Sequence, residues 1–253
     1  MVSTGAKKID QHFLVSDIVR DDYRTADVFR KYGIDFCCGG KWSLKMVCDA
    51  RNLDVAILLQ ELEEAVRTIQ LSNKLRFEDW DIDFLTDYIV NVHHQYLRKA
   101  LPEAKDYLND FIDGHQKKFP FLIDVLKIVI SLSKEMFPHL VEEEEIIFPY
   151  IRQISHAYHS KESYAGLLVR TLRKPVENVM HHEHESVSRS LHELRQLTDH
   201  YTLPERACVS HKVTYLKLLE IDNDLVQHLH LENDILFPRA IAMEKELLER
   251  RDY

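Results

Sequence analysis

The feature that most constrains this chain is a short motif that occurs twice. Residues 139–149 read HLVEEEEIIFP and residues 228–238 read HLHLENDILFP. Aligned without gaps, both copies place a glutamate four residues after a histidine and continue to Phe-Pro at the same distance. Residues four apart lie above one another on one helix face, so each copy can offer an imidazole and a carboxylate to one point. The two pairs are His139 with Glu143 and His228 with Glu232.

The duplication extends backward along the chain. A histidine about 45 residues earlier precedes each copy, His94 before His139 and His184 before His228. In an antiparallel helical hairpin, residues at equal distances from the turn lie at similar heights. The two hairpins would therefore direct four imidazoles and two carboxylates toward one axis. Such a donor set suits two first-row transition metal ions, and its nitrogen content favours iron over magnesium or calcium.

Other interpretations of these residues remain open from the spacing. A single His-x3-Glu pair is usually a solvated helix-surface pair, because its stabilising effect is modest. Zinc is an alternative metal, although structural zinc prefers four ligands and often thiolates. Spacing does not choose between His94 and its neighbour His93. We interpret Glu142, Glu144 and Glu145 as a solvated acidic face. The other nearby polar residues are interpreted as surface or supporting groups: His93, His181, His182, His230, Glu135 and Asp224.

Long helices are the structure that this composition favours. The chain has 253 residues with only six glycines and seven prolines, and 45% of its residues are hydrophobic. Apolar residues recur at helical spacing in four long stretches. Short connections between four such helices predict an all-α, antiparallel, up-down-up-down four-helix bundle. We place the four helices near 82–113, 119–151, 166–200 and 204–245.

The first part of the chain has a different pattern. We predict a small, separate helical domain over residues 1–70 and the four-helix bundle over residues 80–253. Cys37-Cys38-Gly39-Gly40 lies in a turn of the small domain. Neighbouring thiols of this kind could bind a soft metal, take part in redox exchange, or be inert. We interpret Cys208, far from this motif, as an ordinary buried thiol.

Charge and hydropathy exclude several classes of protein. The formal net charge is −9 and no basic block is present, which argues against nucleic-acid binding. We find no secretory pattern and no apolar run long enough to span a bilayer. The sequence therefore predicts a soluble, cytoplasmic protein without a membrane partner.

The quoted motifs also resemble those of a known family. Over essentially its whole length the chain resembles the RIC proteins, the di-iron proteins of iron–sulfur cluster repair. The matches are HHQYLRKALP, the first His-x3-Glu motif, EHE at 183–185 and HLHLENDILFPRA, and YGIDFCCGGKWSLKMVC at 32–48 resembles the ScdA-type module of that family. The resemblance implies a hemerythrin-like bundle with an oxo- and carboxylate-bridged, non-haem di-iron centre. It selects His94 over His93 and implies six ligands: His94, His139, Glu143, His184, His228 and Glu232.

The resemblance further implies a stress-response function. This function is the repair of iron–sulfur clusters damaged by oxidative or nitrosative stress, with iron delivery as one route. The expected partners are damaged iron–sulfur proteins or their assembly machinery, and small gases such as nitric oxide or oxygen. Two alternatives stay open: nitric oxide reduction at the di-iron site, and gas or iron sensing. Cys37 and Cys38 are expected to act in redox or transfer steps, and the resemblance also suggests a homodimer through the first domain.

Overall fold

The structure is a computed structural model that describes residues 9–36, 40–66, 75–160 and 176–249. The side chains of residues 176–184 lie outside this description. Throughout the described ranges the regular secondary structure is helical, so the predicted all-α class is confirmed. None of the described helices is long and apolar enough to cross a lipid bilayer.

Four short helices form the amino-terminal module. Side-chain oxygens begin two of them, because Ser43 accepts a hydrogen bond from the Met46 N–H and Asp54 accepts one from the Ala56 N–H. The second helix ends before Gly33, whose φ of 64° is the left-handed conformation that glycine tolerates best. We number the helices α1 (Val15–Asp21), α2 (Thr25–Lys31), α3 (Leu44–Arg51) and α4 (Val55–Ala65).

Four long helices follow, and three of them are interrupted by a π-helical turn. Helix α5 packs on α6 and α8, and α7 packs on the same two helices, which closes the bundle; the last segments of α6 and α8 also pack on each other. The sequence predicted these helices, but α6 extends well past residue 151. The segments are α5 (Ile82–Tyr88, π-helical Ile89–His94, Gln95–His115), α6 (Leu122–Glu142, π-helical Glu143–Ile147, Phe148–Ser160), α7 (Val176–Leu197) and α8 (Val209–His230, π-helical Leu231–Leu236, Phe237–Glu249).

Two apolar clusters fill the bundle. The hairpin core lies toward the α5–α6 and α7–α8 connections and includes Leu97, Leu140 and Leu229. The terminal core lies at the opposite end and includes Ile89 and Ile147. On α5, α6 and α8 the predicted metal ligands lie where the two cores meet. The polar site is therefore enclosed by apolar layers above and below, which removes it from bulk water.

The amino-terminal module docks on the hairpin end of α5 and α8. Asp27 of α2 accepts hydrogen bonds from the Tyr107 hydroxyl at 2.7 Å and from Lys217 Nζ at 2.6 Å. Tyr23 donates a further hydrogen bond to Glu220 of α8. Since Tyr107 also packs into the apolar core of the module, charged and apolar contacts together hold the two parts in place.

A strained turn connects α7 to α8. Residues Asp199, His200 and Tyr201 have φ values of 49°, 54° and 57°, a conformation that costs each non-glycine residue free energy. The buried carboxylate of Asp222 holds this turn. It accepts hydrogen bonds from the Tyr201 hydroxyl at 2.8 Å and from Arg195 Nε at 2.8 Å. The second hairpin is thus fixed in register by a buried ionic contact.

His211 is a buried imidazole in an aromatic cage at the hairpin end. Its ring centroid lies 4.7 Å from that of Phe111, 5.2 Å from that of Phe119 and 4.3 Å from that of Tyr215. Burial, with smaller effects from the charges of His115 and Lys118, lowers the pKa of His211 to about 4. The unfolded chain therefore binds a proton near pH 6.5 that the folded chain rejects until about pH 4.

We expect His211→Phe to remove part of the acid sensitivity of the fold. His211 contributes stability that is fully present above pH 6.5 and is lost as the pH falls toward 4, so wild type should lose about 1–2 kcal/mol more than the variant between pH 7 and pH 5. Urea unfolding of the metal-free proteins at both pH values measures the difference. His192→Phe, at an exposed position, is the matched control. Equal pH dependence in wild type and His211→Phe would contradict the assignment.

Candidate metal centre

Four buried side chains converge at the middle of the bundle. One ligand atom from each of His94, Glu143, His228 and Glu232 lies within 4.8 Å of the others. All four residues are completely buried. His94 Nε2 lies 3.4 Å from Glu143 Oε2, and His228 Nε2 lies 2.8 Å from Glu232 Oε1. The cluster joins one histidine of α5, the glutamate of the first motif, and both residues of the second.

His139 approaches the same cluster from the other side of Glu143. Its Nε2 lies 3.2 Å from Glu143 Oε1, whereas His94 faces Oε2 of the same carboxylate. Glu143 therefore lies between two imidazoles, as a bridging carboxylate would. The sixth predicted ligand, His184, belongs to the helix Val176–Leu197, but its side chain lies outside the described residues. The complete set of six ligands stays a prediction.

The π-helical turns coincide with the ligands. One turn ends at His94, a second begins at Glu143 and a third includes Glu232. A π-helical turn carries one extra residue and is frequent at functional sites. We did not predict these turns from the sequence, although the Phe-Pro of each motif copy is a signal for two of them. Proline inside an α-helix clashes with the carbonyl four residues earlier, and that carbonyl lies within the π-helical turn in both copies.

The donor atoms of the cluster fit a metal ion. His94 Nε2 and both carboxylate oxygens of Glu143 are buried without a hydrogen-bond partner among the described residues. Leaving such groups unsatisfied is costly, and a cation would compensate both carboxylates. Burial opposes protonation of His228, but Glu232 and Glu143 outweigh it and raise the pKa of this histidine. Imidazole and carboxylate together suit a transition metal.

Glu144 and Arg98 support the ligand His94 from behind. Glu144 Oε1 lies 2.7 Å from His94 Nδ1, and Arg98 donates to both Glu144 oxygens, at 2.8 and 3.0 Å. Partial burial opposes the ionisation of Glu144, but the hydrogen bonds from Arg98 and His94 lower its pKa overall. Our interpretation of Glu144 as a solvated acidic residue was therefore wrong. No local pattern in the sequence predicts this contact, because it joins residues 50 positions apart.

His93 is buried beside the cluster and does not contribute to it. Its Nδ1 lies 2.9 Å from Asp224 Oδ1, and its ring stacks on that of His228 with centroids 5.8 Å apart. The interpretation of His93 and Asp224 as supporting residues agrees with these contacts. Glu135 instead is exposed and binds the Ser186 hydroxyl.

The cysteines fall into separate environments. Cys37 and Cys38 lie outside the described residues. Cys48 is buried in the core of the amino-terminal module. Cys208 is partly exposed at the start of α8, with its Sγ 3.5 Å from His115 Nε2 and accepting the His211 N–H. The structure thus corrects the interpretation of Cys208 as an ordinary buried thiol.

Comparisons with known sequences match both parts of the chain. The profile of the ScdA N-terminal domain, described as a domain of unknown function, matches residues 13–66. The profile described as the hemerythrin HHE cation binding domain matches residues 85–240.

Curated relatives match along nearly the full length. The iron-sulfur cluster repair protein ScdA of Staphylococcus epidermidis is 29% identical over 233 residues, covering 92% of this chain and 99% of the relative. The iron-sulfur cluster repair protein YtfE of Edwardsiella ictaluri is 34% identical over 222 residues, covering 87% and 92%. A YtfE protein of an Enterobacter species is 31% identical over 233 residues, covering 91% and 97%.

Proposed function

The chain belongs to the ScdA and YtfE family of iron-sulfur cluster repair proteins, which carry a hemerythrin HHE domain, and from this premise we propose that it repairs damaged iron–sulfur clusters in the cytoplasm with a non-haem di-iron centre. The observation that carries the proposal is the buried cluster of His94, Glu143, His228 and Glu232. The names of the relatives favour repair over nitric oxide reduction or gas sensing.

Under this proposal the six predicted ligands divide between two iron ions. His94 and His228 would bind one ion, because their ligand atoms converge with both glutamates. His139 and His184 would bind the other, since His139 faces the opposite oxygen of Glu143. Glu143 and Glu232 would bridge the two ions and compensate their charge. Six protein ligands leave coordination positions open for small ligands or for transfer to a client.

The chain itself supplies a pre-formed site that is shielded from water and holds the iron that is to be delivered. Apolar residues on both sides exclude water, and this strengthens the attraction between the cation and the carboxylates. Cys37 and Cys38 are proposed to receive iron on its way to the client, because neighbouring thiolates are soft ligands. They lie within the part of the chain matched by the ScdA profile.

Iron transfer to a damaged cluster tests the proposal. The iron-loaded protein is mixed anaerobically with a dehydratase whose four-iron cluster has lost iron to hydrogen peroxide, with dithiothreitol as reductant. We expect dehydratase activity to return as iron leaves this protein. A Cys37→Ser/Cys38→Ser variant should keep its iron but transfer it more slowly, and Cys208→Ser is the control. If dehydratase activity returns no faster than with the same amount of free ferrous iron, the proposal is refuted.

A further inference from the structure

We infer that Arg98 and Glu144 make the two metal positions unequal, so that the ion bound by His94 is retained while the other ion leaves first. This inference rests on the proposed function and deepens it. Glu144 and Arg98 act on the metal through His94 and are positioning residues.

The hydrogen bonds around His94 fix its ring. An ionised carboxylate only accepts hydrogen bonds, so His94 Nδ1 donates to Glu144 at 2.7 Å. The second ring nitrogen, Nε2, then presents its lone pair to the cluster. Arg98 donates bidentate hydrogen bonds to Glu144, at 2.8 and 3.0 Å. Bidentate arginine–carboxylate pairs are among the strongest and most directional hydrogen-bonded contacts in proteins.

A carboxylate behind a ligating imidazole strengthens metal binding. It fixes the orientation of the ring and makes the coordinating nitrogen more basic, and its loss typically weakens metal affinity by about 10–100-fold. His94 is completely buried and Glu144 only partly so. The pair therefore extends from the edge of the bundle to the metal position and holds His94 from outside.

The second half of the repeat lacks both charged residues. In the gap-free alignment of the two motifs, Asn233 stands where the first copy has Glu144. Arg98 follows His94 by four residues, and Ser188 follows His184 by the same distance. Asn233 and Ser188 are both exposed. A neutral amide and a hydroxyl cannot form the ion pair of the first half, so the second half has no counterpart of that pair at the matching positions.

Stepwise release also suits the buried charge of the site. Glu143 and Glu232 are completely buried, and removing every cation at once would leave two uncompensated carboxylates in an apolar environment. If one ion leaves and the ion at His94 stays, a cation remains beside both carboxylates. The protein can then donate one ion without losing the electrostatic compensation of its site.

Iron release to an excess of a ferrous chelator tests this inference. Wild type, loaded with iron and reduced, should release its iron in a fast and a slow phase of equal amplitude. Glu144→Gln should accelerate the slow phase about 10-fold or more and leave the fast phase unchanged. Its ferric absorption spectrum should also shift, whereas Arg98→Lys, which keeps the charge, should give an intermediate rate. Glu145→Gln, at the exposed neighbouring position, should behave as wild type.

The reverse variant installs the missing pair in the second half. Ser188→Arg/Asn233→Glu should slow the fast phase and leave the slow phase unchanged. Circular dichroism and thermal unfolding of the metal-free proteins verify that each variant is folded. A single release phase from wild type with two ions bound, or equal acceleration of both phases by Glu144→Gln, would overturn this inference but not the proposed function. Wild type that binds no stoichiometric iron would overturn the proposed function as well.

Discussion

A Glu143→Ala/Glu232→Ala variant is expected to lose its iron completely, whereas wild type should carry about two iron ions per chain. Each carboxylate lies beside a motif histidine, at 3.2 Å for Glu143 and 2.8 Å for Glu232. Without them the four imidazoles would have to hold cations with no anionic compensation in a buried site. Metal analysis together with the absorption spectrum measures the loss.

The matched control for this variant is Glu142→Ala/Glu145→Ala. These residues flank the ligand in the same acidic run but are not part of the cluster, so iron content should be unchanged. The metal-free ligand variant should unfold no earlier than metal-free wild type, because burying two carboxylates without a cation is itself unfavourable. Iron that persists in the ligand variant would place the site elsewhere.

Asp222→Ala is expected to have the largest effect on the stability of the fold, about 3 kcal/mol in the free energy of unfolding. Asp222 is 3% exposed and accepts hydrogen bonds from Arg195 and from the Tyr201 hydroxyl. Its removal leaves both donors without their acceptor and releases the turn that holds three residues at positive φ. Urea unfolding of the metal-free protein measures the change.

Asp124→Ala provides the comparison. Asp124 is exposed and pairs with Lys127 three residues later on α6, a contact of the kind that is worth less than about 1 kcal/mol. A similar, small effect of both substitutions would show that the buried contact does not stabilise the second hairpin. Because α7 and α8 carry the proposed ligands His184 and His228, we also expect Asp222→Ala to weaken iron retention.

The sequence predicted those parts of the site that depend on local geometry. The pairing of His139 with Glu143, and of His228 with Glu232, follows from helical spacing alone. Antiparallel hairpins predicted that an earlier histidine joins each pair, but the family resemblance was needed to choose His94 over His93, and His184 stays a prediction. The all-α class followed equally from the scarcity of glycine and proline and the long amphipathic stretches.

The features that the sequence did not predict depend on distant contacts. Glu144 meets His94 across 50 residues, and Asp27 meets Lys217 across 190. Such pairs are fixed by the packing of whole helices, and neither partner has a distinctive sequence context. The docking of the amino-terminal module belongs to the same class, since it depends on several dispersed charged and tyrosine side chains.

The three π-helical turns restrict how the length of this chain can vary. One residue advances an α-helix by about 100°. A single deletion inside a π-helical turn would remove its extra residue and restore regular α-helix, with the flanking segments nearly in phase. The same deletion in the regular helix beyond the turn on α6 would instead rotate Ile151 and Ile154 away from the terminal core. Homologous chains should therefore tolerate single-residue changes of length in these helices only at the π-helical turns.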